Sequence, residues 1–178
     1  MKIKICGVKN IDDIKAVNAA RPDFVGFVFA KSPRQVTARE ARLLGANIYP
    51  GILKVGVFVY EPTEFIEGLY NDNIIDIAQV YGGQEPVVPT IRASHYDLEA
   101  DYYLLDSPNP GSGKPGDWSK QKQLNKPVFL AGGINLSNLD EALAKRPYAV
   151  DVSSGAETDR KKDPEKIKEL VRRVREYE

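Results

Sequence analysis

Cysteine, histidine, methionine and tryptophan each occur once in this chain. A lone cysteine excludes an internal disulfide, and one cysteine with one histidine is too few ligands for a zinc cage. Net charge is also scarce: Lys+Arg number 25 and Asp+Glu number 25, so no overall field favours nucleic acid or an anionic membrane. Nor does any apolar run approach the ~20 residues that a membrane-crossing helix needs. Met1 leads at once into the alternating Lys2-Ile3-Lys4-Ile5 rather than into a secretory signal. These absences lead us to expect a metal-independent protein of a reducing compartment, the cytoplasm, with no membrane or nucleic-acid partner.

What is present is alternation. The 178 residues, 42% of them hydrophobic, suit one domain over 1–178. Short β-branched runs alternate with amphipathic stretches, as in βαβ units on a parallel sheet. Strands are expected at 2–7, 24–29, 53–59, 74–81, 87–92, 102–106, 128–132 and 149–153. Thr37 and Glu40 form a capping box, and Ser137 and Asp140 repeat that spacing. Asp163-Pro164 opens a last helix with a cap and an N1 proline, and its apolar stripe is Ile167, Leu170, Val171 and Val174. The basic run from Lys161-Lys162 to Arg175, interleaved with acidic residues, reads as a solvated face. Val25-Gly26-Phe27-Val28-Phe29 is echoed by Val55-Gly56-Val57-Phe58-Val59.

Eight strands with interleaved helices predict an α/β fold, a (β/α)₈ barrel. It is a shortened one. Only Gly82-Gly83-Gln84-Glu85-Pro86 separates strands four and five, where a parallel crossover normally needs a dozen residues or more, so the fourth helix is expected to be missing. Ile74, Ile75, Ile77, Val80, Val87, Val88 and Ile91 then predict an uncovered apolar patch, and with it a possible homodimer pairing this side of two barrels.

The chemistry of such barrels sits at the C-terminal strand ends. Here those ends are polar: Cys6-Gly7, Lys31-Ser32-Pro33-Arg34, Gln79-Val80-Tyr81-Gly82, Asp106-Ser107, Gly132-Gly133, and Asp151 through Ser153-Ser154-Gly155. Lys4 and Cys6 share one strand face and Ile3 and Ile5 the other. The isoleucines suit the helix layer, which turns Cys6 toward the mouth, although a lone cysteine also reads as a small buried hydrophobe. Asp106 and Asp151 interrupt apolar segments, where a carboxylate is costly unless paired or used. Gly132, Gly133, Ser153, Ser154 and Gly155 follow strands seven and eight, a common phosphate position, with ordinary turns as the alternative. His95 reads as a loop residue. Gly111-Ser112-Gly113-Lys114 fails as a P-loop, because Pro115 replaces the Ser/Thr and Pro108 the first glycine.

Taken together, Lys4-Ile5-Cys6-Gly7, Gly26-Phe27-Val28-Phe29 with Lys31-Ser32-Pro33-Arg34, and Leu104-Leu105-Asp106-Ser107 resemble the phosphoribosylanthranilate isomerase family of tryptophan biosynthesis. So do Gly111-Ser112-Gly113-Lys114 with Asp117-Trp118-Ser119, Ala131-Gly132-Gly133-Ile134-Asn135, and Arg146-Pro147-Tyr148 leading into Val150-Asp151-Val152-Ser153-Ser154-Gly155. The resemblance implies a cofactor-free Amadori rearrangement of N-(5′-phosphoribosyl)anthranilate to its ribulose form. It implies Asp106 as general acid and Cys6, as thiolate, as general base, with a cationic or dipolar neighbour lowering the thiol pKa. Arg34 would hold the anthranilate carboxylate, Asp151 would accept from the anthranilate nitrogen, Gln79 would belong to the substrate site, and the five glycine and serine residues would hold phosphate. The chain departs from the family at Tyr81, where histidine is usual, and at Arg92, where lysine is. The other readings are a different phosphosugar barrel enzyme, or a degenerate barrel that binds a phosphometabolite without turnover.

Overall fold

Eight strands pair in parallel, in chain order, and close on themselves: β1 (Lys2–Cys6), β2 (Phe24–Val28), β3 (Leu53–Phe58), β4 (Ile77–Val80), β5 (Thr90–Arg92), β6 (Tyr102–Leu105), β7 (Val128–Leu130) and β8 (Ala149–Val152). The computed structural model describes residues 1–93, 95–107 and 117–177. The P-loop-like Gly111–Lys114 lies outside them. Helices α1 (Ile11–Ala20), α2 (Ala38–Gly45), α3 (Thr63–Asn71), α4 (Leu139–Ala144) and α5 (Pro164–Glu176) flank the barrel, with a 3₁₀ segment at Trp118–Gln123. A two-stranded hairpin, β9 (Glu157–Thr158) and β10 (Lys161–Lys162), follows the eighth barrel strand.

Alternation sorts the side chains. Phe24, Val55, Ile77, Ile91, Leu104, Phe129 and Ala149 fill the barrel interior, while Ile3, Ile5, Val25, Phe27, Phe58, Val80, Tyr103 and Val150 pack outward in the helix-side core. The expected stripe of α5 is buried in full, and Asp163 caps that helix by accepting from the Glu165 and Lys166 N–H groups. The Thr37–Glu40 capping box forms as expected. The second expected cap does not: Asn138 is the N-cap of α4, and Ser137 bonds Asn135 instead. The two-strand echo is not a structural repeat either. Phe27 pairs with Gly56 and Gly26 with Val55, so the two glycines face opposite sides of the sheet.

A repeat does exist, at the other end of the strands. The residue before β2 is Asp23, before β4 Asp76 and before β6 Asp101. Each carboxylate accepts from a backbone N–H in the preceding strand and returns a bond from its own N–H to the same residue's carbonyl. Ile3 and Asp23 exchange bonds of 2.9 and 3.1 Å, Lys54 and Asp76 of 2.7 and 2.8 Å, and Thr90 and Asp101 of 2.8 and 3.1 Å. In the fourth pair Tyr148 occupies that position and keeps only the backbone bond, to the Val128 carbonyl.

Between β4 and β5 there is no helix, as the length of the connection requires. The expected apolar patch is nevertheless absent. Ile77 and Ile91 point into the barrel, while Ile74, Ile75, Ala78 and Val80 are buried in the outer core, against which Val88 and Tyr96 pack. The connections themselves provide this cover. Arg92 points outward and donates to the Gly82 and Gln84 carbonyls at 3.3 and 2.9 Å, and Gln84 donates to the Val59 and Glu61 carbonyls. One guanidinium thus satisfies carbonyls that a helix would have satisfied internally. Val87 alone of the predicted set is largely exposed, at 90%.

Candidate active site

The C-terminal mouth holds a cleft, and almost every residue singled out in the sequence lines it: Cys6, Arg34, Gln79, Asp106, Gly132, Gly133, Asp151, Ser153 and Ser154. Gly155 lies just behind, in a shallower pocket shared with Gly133 and Ser154. His95 is an exposed loop residue, as expected. Cys6 owes its place to Gly26, its ladder partner on β2. A Cβ at Gly26 would stand 2.7 Å from the Cys6 sulfur and 3.1 Å from Lys4 Cε, so glycine makes room for both inward side chains of β1.

Lys4 is wholly buried below Cys6. Its Nζ donates to Asp151 Oδ2 and to Gln79 Oε1, both at 2.8 Å. Gln79 in turn donates to the Tyr81 hydroxyl at 3.3 Å, and that hydroxyl donates to Asp106 Oδ2 at 2.7 Å. A continuous chain of hydrogen bonds therefore runs from β8 through β1 and β4 to β6. Asp151 Oδ1 is buried and has no hydrogen-bond partner among the described residues.

Lys4 is the cationic neighbour expected for the thiol, and it does pull the Cys6 pKa down. Burial pulls harder in the other direction, and the thiol sits above its ordinary value. Burial likewise raises Asp106, opposed by the bonds from Tyr81 and the Ser107 N–H. A raised carboxyl holds its proton longer, as a general acid must.

Arg34 is not free. Its Nε and Nη2 grip Glu157 as a fork, at 2.7 and 2.8 Å, and the buried Lys162 reaches the same carboxylate at 2.7 Å. Lys162 also donates to the Ser153 carbonyl at 3.0 Å. Although burial opposes it, the two cations hold the Glu157 carboxyl down at about 2. Lys162 is thus no part of a solvated face, contrary to the reading of the basic run. Its signal in the sequence was position: the hairpin brings it back beneath the strand-eight loop. Gly7, at φ 82°, leaves the space in which the Arg34 side chain crosses the end of β1.

The strand-seven and strand-eight loops meet closely. Gly132 and Gly133 adopt φ 84° and 61°, where glycine is at ease, and a Cβ on Gly155 would collide with the Ile134 carbonyl. Trp118 is buried and donates its indole N–H to the Ala131 carbonyl at 2.8 Å, bracing the end of β7.

Comparison with known proteins bears directly on this site. The family model for N-(5′-phosphoribosyl)anthranilate isomerase matches residues 3–94 and 87–173. The chain belongs to this family. A protein of that name from Streptococcus gordonii is 38% identical over 191 residues, covering 98% of each chain. The crystal structure of the phosphoribosyl anthranilate isomerase from Thermus thermophilus superposes with a TM-score of 0.90 at 32% identity, over 100% of both chains. Another isomerase of the family, in complex with reduced 1-(o-carboxyphenylamino)-1-deoxyribulose 5-phosphate, gives 0.83 at 29%, over 98% of each. The family's activity is an aldose–ketose isomerisation in tryptophan biosynthesis, and it is the activity of this chain.

Proposed function

We propose that this isomerisation is carried by Asp106 as general acid and Cys6 as general base. The observation that carries the assignment is their convergence on one cleft, where Gln79 and Tyr81 tie Asp106 to Lys4, the cation that bears on the Cys6 thiol. Asp106 gives its proton to the ribose ring oxygen, the C1′–O bond breaks, and a Schiff base forms. The Cys6 thiolate then removes the C2′ proton, leaving an enolamine that tautomerises to the ketone. One turnover leaves Asp106 ionised and Cys6 protonated, and exchange with solvent at the cleft mouth restores both.

The remaining side chains bind. Asp151 Oδ1, buried and unpartnered among the described residues, accepts from the anthranilate N–H. With Nε and one Nη2 hydrogen given to Glu157, the Nη1 side of Arg34 meets the anthranilate carboxylate, and a planar fork suits that anion. The Gly132, Gly133, Ser153, Ser154 and Gly155 backbone holds the phosphate. Gln79 contributes by fixing Lys4 and Tyr81. The reading takes 1–178 as one cytoplasmic domain binding a small phosphorylated substrate. It includes a homodimer pairing the β4–β5 side of two barrels, where Val87 is 90% exposed. A strictly monomeric mass by light scattering at micromolar concentration would remove the dimer from it.

The test is direct. Purified protein mixed with fresh phosphoribosylanthranilate should consume its fluorescence equally with and without EDTA. Cys6→Ser and Asp106→Asn should each lower kcat by roughly 10²–10⁴-fold, while product-analogue binding persists. Near-wild-type kcat in either variant refutes that residue's role.

A further inference from the structure

Tyr81 is the first residue after β4 and stands on the side of the barrel that lacks a helix, so at first sight it belongs to packing. Its hydroxyl is committed to chemistry instead. It lines the cleft, accepts from Gln79 at 3.3 Å and donates to Asp106 Oδ2 at 2.7 Å. The other carboxyl oxygen, Oδ1, accepts from the Ser107 N–H at 2.6 Å. Asp106 has a single side-chain torsion beyond Cβ, so two donors fix its plane. The loop around Tyr81 is fixed as well. Gln84 ties it to the β3 end through the Val59 and Glu61 carbonyls, and Arg92 holds the Gly82 and Gln84 carbonyls.

We propose that Tyr81 is a positioning residue for the general acid, holding the Asp106 carboxyl toward the substrate and strengthening its hydrogen bond as that carboxyl gives up its proton. The inference rests on the reading of Asp106 as the acid. The physical argument is differential. A phenol donates a stronger bond to a carboxylate than to a neutral carboxylic acid, so the bond gains strength along the proton transfer, in the direction that lowers a barrier. Among the described residues, four ionisable side chains bear on the carboxyl or on its phenol partner: Lys4 from β1, Asp151 from β8, Cys6 from β1, and Tyr96 from the connection between β5 and β6. Of these groups and Tyr81, it is the Tyr81 hydroxyl that donates directly to the carboxyl, at 2.7 Å. Because a donor stabilises the ionised form, removing the hydroxyl raises the Asp106 pKa.

The experiment pairs Tyr81→Phe and Asp106→Asn with steady-state kinetics and a ¹³C NMR titration of labelled aspartate carboxyls, in which Asp106→Asn identifies the Asp106 signal. Tyr81→Phe should lower kcat roughly 10- to 100-fold, the scale of a misplaced reacting group, leave KM within about twofold, and move the Asp106 midpoint to higher pH. Replacing Tyr81 by 3-fluorotyrosine, which keeps the ring and makes a stronger donor, should move that midpoint down. This variant decides the matter if Tyr81→Phe does not fold. An inactive Asp106→Asn together with a wild-type kcat in Tyr81→Phe overturns the positioning role. An Asp106 midpoint unmoved by 3-fluorotyrosine overturns it too. An Asp106→Asn enzyme with wild-type kcat overturns the acid assignment itself, and the inference with it.

Discussion

Cys6 stands between opposed influences, and the outcome sets how it should react. Burial raises the thiol pKa more than Lys4 lowers it, so the thiol form is favoured at neutral pH. Alkylation by iodoacetamide, followed against pH, should show a midpoint above the ordinary thiol range. Lys4→Met should push it higher still, since it removes the nearest cation and leaves Asp151 unpaired. A midpoint near neutrality would mean that the burial argument is wrong. Gly26→Ala asks the same site for space. Its methyl would meet the Cys6 sulfur at 2.7 Å, so stability should fall by about 1–3 kcal/mol, as overpacked interiors do, and kcat should fall with it. Arg34→Ala should raise KM through the lost carboxylate contact. It should also release Glu157 from a fork that now holds it.

At the scale of the element, two devices have their residues in plain view in the sequence but find their partners only in the fold. Asp23, Asp76 and Asp101 each stand one residue before an even-numbered strand, a spacing that becomes meaningful only when the previous strand's N–H lies alongside. Asp23→Ala, Asp76→Ala and Asp101→Ala should each cost about 1–3 kcal/mol by orphaning a backbone donor, measured by urea unfolding. Tyr148→Ala lacks such a bond to lose at that position. The second device is the hairpin carrying Glu157 and Lys162. Glu157 titrates at about 2 in the folded chain, below its ordinary range, so its contribution to stability is complete above that range and is lost as pH falls toward 2. Thermal melts of wild type should therefore drop over that acid window, and Glu157→Gln should flatten the drop while lowering the melting temperature at neutral pH.

Across the whole molecule, the strand count, the parallel order and the position of each cleft residue were legible because they follow from alternation and from strand ends. Cys6 could be placed because Ile3 and Ile5 face the helices, and Asp106 and Asp151 because each carboxylate interrupts an apolar segment. Two things were not legible. Long-range partners, such as Glu157 for Arg34 and Tyr81 for Asp106, depend on how loops from distant strands meet. The covering of the short side depends on Arg92, Val88 and Tyr96 doing a helix's task, which composition alone does not reveal. In the sequence Tyr81 is only a departure from the family's usual histidine; in the fold its hydroxyl touches Asp106.

The uneven wall of the barrel bears on how the protein meets heat. β5 has three residues and pairs with β6 at two positions, whereas β2 and β3 pair at five. Among the described residues no α-helix packs between β4 and β7 in the chain. Protection against amide exchange should accordingly be lowest from β4 to β6 and highest at β1–β3, because local opening begins where the fewest cooperative contacts must break. Asp106 stands on the weaker arc and Cys6 on the stronger. On slow warming, turnover should then fail several degrees before the barrel unfolds, while Cys6 still resists alkylation. Coincident loss of activity, secondary structure and thiol protection would show instead that the two arcs open as one.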